Sequence, residues 1–245
     1  MIRLFVPNDL SAESGIVLDK DQSHYLANVM RLKEGEAIAL FNGRDGEWTA
    51  SLQKVAKSGV AIHVHSQTRP QTPEPDLWLL AAPIKKDRVD LVAEKAAELG
   101  VSRLWPVFTR RTVMSRVNTE RLAANMVEAA EQCERLTIPE MAEPAALDKV
   151  LAGWDAERPL LFLDESGAGQ PIATALAGMA PGKLAVLVGP EGGFDNTERA
   201  LLARLPFAVP ISLGPRILRA ETAAIAALSV VQALVGDWKL GPRAS

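Results

Sequence analysis

Val186-Leu187-Val188-Gly189-Pro190-Glu191-Gly192-Gly193-Phe194 reads as a strand that stops abruptly. An apolar run meets a Gly-Pro break, then passes one carboxylate and two glycines. A helix start follows, with Asp195 as N-cap and Glu198 three residues on, the spacing of a capping box. Strand, tight loop and helix is the arrangement in which α/β proteins aim backbone N–H groups at a ligand. An ordinary glycine-rich turn would account for this segment alone. A second segment about twenty residues later repeats the pattern: Ile211-Ser212-Leu213-Gly214-Pro215-Arg216-Ile217-Leu218-Arg219-Ala220-Glu221-Thr222-Ala223, with two arginines and a glutamate in the turn. Two such loops after neighbouring strands can close around one small molecule.

The chain has 245 residues, 48% of them hydrophobic and 23% charged, a globular composition with material for one large domain or two modest ones. No apolar run approaches the ~18–20 residues of a membrane span. Met1-Ile2-Arg3-Leu4-Phe5-Val6-Pro7 looks like a first strand rather than a signal peptide. Cys133 is the single cysteine, so no internal disulfide forms and a reducing, cytoplasmic setting is expected. The net charge of −3 does not announce a nucleic-acid binder, yet residues 84–121 carry nine Lys/Arg against five acidic residues. Such a local field can steer a polyanion, although part of it is the solvated face of helices.

Residues 1–69 read as short strands at 3–6, 15–18, 37–41, 47–52 and 59–64, with one helical piece at 21–31; a small β-barrel fits this pattern. Arg69-Pro70-Gln71-Thr72-Pro73-Glu74-Pro75 is a stiff linker, which puts a domain boundary near residue 70. Beyond it strands (77–82, 103–108, 160–163, 183–188, 208–211) alternate with helices (86–99, 119–134, 171–178, 196–204, 220–235). Repeated β-α units argue for a mostly parallel sheet covered on both faces. The expected apolar face of helix 119–134 is Leu122, Met126, Ala129, Ala130 and Cys133.

There is no G-x-G-x-x-G, no Walker loop and no G-x-S-x-G elbow, so dinucleotide oxidoreductases, P-loop NTPases and α/β-hydrolases lack their signatures here. His63 and His65, two apart on one strand, face one side, but no third ligand stands near them in sequence and no metal is expected. His24, ahead of Arg31 on the short helix, is placed to touch a phosphate.

Lys86-Asp87-Arg88 with Lys95-Ala96-Ala97-Glu98-Leu99-Gly100-Val101 resembles the RsmE family, the 16S rRNA (uracil-N3)-methyltransferases of the SPOUT class. Pro106-Val107-Phe108-Thr109-Arg110-Arg111, Glu128-Ala129-Ala130-Glu131-Gln132-Cys133 and the two glycine loops extend the resemblance over nearly the whole chain. Ala220 stands where the family usually has Thr, and Glu134 where a small residue is expected. The resemblance implies a SPOUT-type α/β domain with a C-terminal trefoil knot over residues 71–245, preceded by a small PUA-like β-barrel RNA-binding domain over 1–70. It also implies a homodimer whose sites are each completed by the partner subunit, with 16S rRNA of the small ribosomal subunit as substrate and no membrane.

The implied cofactor is S-adenosylmethionine, held by three loops: Leu163; Val188, Gly189, Pro190 and Gly193; and Ile211, Leu213, Gly214, Ile217 and Leu218, with Thr222 reaching from the helix start. Its adenine wants an apolar slot with backbone groups at the edge. Uracil N3 carries a proton at neutral pH, so its methylation needs that proton removed. Arg219 is the first choice to stabilise the charge that builds on O2 or O4, and Glu191 or Glu221 is the proton acceptor. Arg219 and Glu221 pairing to pin the loop is the plainer alternative, as is Glu191 as a helix-terminal charge. RNA contacts are expected from Arg3, His24, Arg31 and Arg44 in the first domain and from Lys85, Lys86, Arg88, Arg110, Arg111 and Arg116 in the second; a structural bond from Arg88 to a carboxylate is the alternative for that residue. The rival functions are a SPOUT enzyme acting on tRNA, a non-catalytic ribosome-assembly module, and an unrelated nucleotide-binding enzyme.

Overall fold

Short apolar strands with polar turns build the first unit, residues 1–73 together with 130–138, in a computed structural model that describes residues 1–56 and 59–240 except the side chain of Lys86. Its strands are β1 (Arg3–Phe5), β2 (Gly15–Val17), β3 (Ala37–Phe41), β4 (Glu47–Ala56) and β5 (Gly59–Arg69), paired in the order β1-β3-β4-β5-β2. Helix α1 (Lys20–His24) runs into a π-helical turn at Tyr25–Val29, one helical piece as the sequence indicates. Alternation along β5 buries Val60, Ile62 and Val64 and leaves His63 and His65 on the other face. Leu4, Val6, Leu26, Ile38, Leu40 and Leu52 complete that core.

Residues 130–138 join this unit for a physical reason. The last carbonyls of helix α3 (Thr119–Cys133) lack their full set of donors within the helix, and the Ala130 oxygen accepts from the Arg135 N–H at 3.1 Å just beyond it. Arg3 supplies donors: Nη1 to the Ala130 and Glu131 oxygens at 2.8 and 3.1 Å, and Nη2 to the Arg135 oxygen at 3.0 Å. Its Nε meets Glu47 Oε2 at 2.7 Å, and its guanidinium lies 4.4 Å from the centre of the Phe41 ring. Arg3 is only 9% exposed, so the expectation that it touches RNA is corrected: every face of its fork is committed inward. Cys133 is also corrected, because it is exposed rather than part of the apolar face of α3.

The second unit, residues 74–129 and 139–240 as described, is the α/β part. Strands β6 (Leu77–Ala81), β7 (Arg103–Phe108), β8 (Glu140–Met141), β9 (Ala145–Ala146), β10 (Leu160–Leu163), β11 (Gln170–Pro171), β12 (Leu184–Val188) and β13 (Ala208–Ser212) pair in parallel. Their order is β11-β13-β10-β12-β6-β7-β8, with β9 also on β7. All five residues of β12 are buried, as a parallel strand covered on both faces requires. The helices are α2 (Lys86–Glu98), α4 (Leu147–Ala152), α5 (Ile172–Leu176), α6 (Asn196–Leu202) and α7 (Ala220–Leu234), together with the part of α3 up to Ala129. Helix α7 packs against α2, α5 and β12. No helix among the described residues is long and apolar enough to cross a membrane.

Removing the Arg3 guanidinium takes the nearest cation from buried Glu47, which keeps Thr68 and Arg69, and a donor from the carbonyls of Ala130, Glu131 and Arg135. We predict that Arg3→Ala costs about 1–3 kcal/mol in urea unfolding. A loss of under about 1 kcal/mol, the range of an exposed ion pair, would contradict this placement.

Candidate functional site

Strands β10, β12 and β13 stand side by side, so their C-terminal ends open onto one crevice, where open α/β sheets place ligands. A cavity of about 470 Å³ lies there, within the range of ~300–1,000 Å³ typical of small-molecule sites. Its wall includes Leu163, Val188, Gly189, Pro190, Glu191 and Gly193 from two strand ends. Ile211, Leu213, Gly214, Ile217, Leu218 and Arg219 close it from the third. The structure therefore brings together the residues singled out from the two glycine loops. Glu221 and Thr222 are the exceptions: Glu221 is buried, Thr222 is exposed, and neither lines the cavity, because the first turn of α7 presents Ala220 and Ala223 instead.

The sequence reading missed Asp164, Glu165 and Gly167, which follow β10, and Ser212, Pro215 and Arg216 in the last loop. No glycine motif marks the first three. Asp164 accepts from the Ser166 N–H at 3.0 Å and from its hydroxyl at 2.8 Å, and Glu165 pairs with Arg199 at 3.2 Å. Gly193 has φ +64°, a conformation in which glycine is the low-cost residue, and the Glu165 carboxylate lies where a side chain there would point. A larger recess, about 680 Å³, lies beside α6 and α4 and contains none of the glycine-loop residues, so size alone does not mark the site.

Helix α6 begins as the sequence indicates. Asp195 accepts from the Glu198 N–H at 2.7 Å, and Glu198 Oε2 accepts from the Asp195 N–H at 3.0 Å. Glu198 Oε1 also accepts from the Arg110 N–H at 2.7 Å, tying the loop after β7 to this helix start. The Glu198 N–H holds the Asp195 carboxyl below the usual carboxylate range against a small opposing effect of burial, with Arg110 and Arg111 adding to the shift. Arg111 donates to the Gly192 oxygen at 2.7 Å. Arg110 and Arg111 are nonetheless exposed, as are Lys85 and Arg116, while Lys86 falls outside the described side chains. In the first unit His24, Arg31 and Arg44 are exposed, and Arg44 meets Asp9 at 2.8 Å.

Arg88 takes the structural alternative. From α2 it reaches two carboxylates, with Nε 3.4 Å from Glu221 Oε1 and Nη1 3.9 Å from Glu191 Oε1. These belong to the start of α7 and to the loop after β12, so one guanidinium spans both glycine segments. Glu221 is 9% exposed and its Oε2 is buried with no hydrogen-bond partner among the described residues. Its ion-pair partner is Arg88 rather than Arg219, which has no carboxylate partner among the described residues. Arg219, exposed at the N-cap of α7, lines the cavity.

Two family models match this chain. Residues 71–232 match an RNA methyltransferase domain, and residues 18–64 match an RNA methyltransferase PUA domain. The chain is 35% identical over 234 residues to ribosomal RNA small subunit methyltransferase E of Rickettsia conorii, covering 95% of each. It is 30% identical over 237 residues to the protein of that name from Synechocystis, covering 95% of this chain and 78% of the relative. The structure of ribosomal RNA small subunit methyltransferase E from Neisseria gonorrhoeae bound to S-adenosyl methionine superposes with a TM-score of 0.87 at 28% identity, covering 97% of this chain and 99% of that one. These matches define an RNA methyltransferase with an α/β domain and a PUA domain. Within that class, the chain belongs to the ribosomal RNA small subunit methyltransferase E family.

Two outcomes follow from this geometry. Because its pKa is lowered on folding, Asp195 contributes stability that is present above the unfolded carboxylate pKa, about 3.9, and is lost as pH falls through the lower folded value. Asp195→Asn keeps a capping oxygen without the charge, so its pH–stability curve should be flatter below about pH 4 than that of the parent. An identical acid limb in both proteins would contradict this. Arg88→Ala should cost about 1–3 kcal/mol in urea unfolding, since it strands a buried carboxylate; an unchanged midpoint would return Arg88 to the solvent-facing group.

Proposed function

We propose that this protein transfers the methyl group of S-adenosylmethionine to N3 of a uridine in 16S rRNA of the small ribosomal subunit. The cavity at the ends of β10, β12 and β13 carries this reading. Val188, Ile211, Leu213, Ile217 and Leu218 form an apolar slot suited to adenine, with the backbone of Gly189 and Gly214 at its edge. Glu165 and Glu191 on the same wall suit a molecule with a positive sulfur and an ammonium group. When bound, the cofactor supplies an electrophilic methyl group; the uracil N3 proton is lost as the new N–C bond forms.

The residues divide this work by position. Arg219, on the rim at the start of α7, stabilises the negative charge that builds on uracil O2 or O4. Arg88 meets both candidate carboxylates, but Glu191 lines the cavity and is exposed, whereas Glu221 is buried and does not line it. Glu191 is therefore the proton acceptor in this account. The glycine loops serve mainly to align the reacting groups, to which methyl transfer is sensitive.

Finer features rest on family membership. The C-terminal segment threads a trefoil knot around the cavity, the first unit is a PUA-like barrel that grips RNA through His24, Arg31 and Arg44, and the protein works in the cytoplasm as a homodimer. Lys85, Arg110, Arg111 and Arg116 are exposed cations placed to engage phosphates. The target base is splayed out of its stack to reach the cofactor.

Arg219→Ala should lower kcat by about 10²–10³, while the Kd for S-adenosylmethionine by calorimetry stays near that of the parent protein. An undiminished kcat would remove Arg219 from this role, and a matching loss of cofactor affinity would make it a binding residue instead.

A further inference from the structure

On the outer face of β5 three side chains meet that the methyl-transfer account leaves unused. His63 and His65 stand two residues apart, so both rings leave the same face. Their centroids are 4.9 Å apart in an edge-to-face arrangement. Glu13, fifty residues earlier and just before β2, brings Oε2 to 3.2 Å from His63 Nε2. One ligand atom from each of the three lies within 4.8 Å of the other two.

The backbone carries Glu13 to this position. Its φ is +60°, the left-handed region where glycine or asparagine is the low-cost choice. Two main-chain bonds hold it there, from the Glu13 N–H to the Val64 oxygen at 3.0 Å and from the Val64 N–H to the Ser14 oxygen at 2.9 Å. A glutamate kept in that conformation, beside two imidazoles, is an arrangement the sheet over-determines.

We propose that Glu13, His63 and His65 form a binding site for a divalent transition-metal ion such as zinc. Two imidazoles and one carboxylate suit Zn²⁺, Ni²⁺ or Cu²⁺ better than the hard Mg²⁺. Bonds of ~2.0–2.2 Å put tetrahedral donors roughly 3.3–3.6 Å apart, so the widest separation must close by about 1 Å. The Glu13 side chain is 76% exposed and that of His63 30%, which leaves room for that adjustment. Water fills the remaining coordination position. Ser51 Oγ, 2.8 Å from His65 Nε2, orients that ring, as outer partners of ligating histidines do. The ion clips the segment before β2 onto β5, where the two strands pair in antiparallel fashion.

The site shares no residue with the methyl-transfer cavity, and its test reads binding rather than activity. Full-length protein, stripped with EDTA and desalted, is titrated with zinc chloride by calorimetry, and with cobalt(II) to follow the absorption of a tetrahedral ion. The expected result is one ion per chain, with His63→Ala and His65→Ala each weakening binding by roughly tenfold or more and Glu13→Gln by less. Circular dichroism confirms that the variants fold, which these partly or fully exposed positions permit. Binding that persists unchanged in the His63→Ala/His65→Ala double variant would overturn the assignment, as would the absence of binding by the parent protein.

Discussion

A parallel strand buried on both faces carries polar backbone groups to its end that must be paired wherever water does not reach them. Strand β12 is such a strand, with every residue buried between β10 and β6. Its final N–H and C=O groups must find partners just where the chain leaves the sheet. The Val188 oxygen accepts from the Ala82 N–H at 2.9 Å, and the glycines of the loop that follows keep its backbone bare beside the Glu165 carboxylate after β10. The same loop forms part of the cavity wall. The cavity thus opens where a fully covered strand terminates.

Charge then decides which loops hold still. Two arginines, Arg3 in the first unit and Arg88 in the second, were both expected to face RNA, and both turn inward. Arg3 donates to carbonyls at and just beyond the end of α3, and Arg88 meets the buried carboxylate of Glu221 and the exposed one of Glu191. A guanidinium presents several donors in one plane and serves such multiple acceptors better than a lysine would. The cations left exposed (Lys85, Arg110, Arg111 and Arg116) are those on loops without a comparable buried acceptor.

Much of the architecture was legible because it is written locally. Proline and glycine punctuate the chain, the Asp195–Glu198 box announces α6, and apolar runs of strand length separate amphipathic stretches. Loop residues flagged by glycine spacing reached the cavity wall for the same reason. What stayed hidden depends on distance in sequence. Asp164 and Glu165 follow a strand with no motif and acquire meaning only when β10 lies beside β12. Glu13 meets His63 across fifty residues, and Arg3 meets Ala130 across more than a hundred. The short pieces β8, β9 and α4 lack the length for a periodic signal. Thr222 sits one position away from the helix face that lines the cavity, a rotation that spacing alone does not resolve.

The most direct measurement is transfer of labelled methyl from S-adenosylmethionine into small ribosomal subunits, followed by digestion of the 16S rRNA and identification of the modified nucleoside. Label recovered in 3-methyluridine is the predicted result. Label found in tRNA, in another nucleoside, or in no RNA at all while RNA binding persists would contradict it.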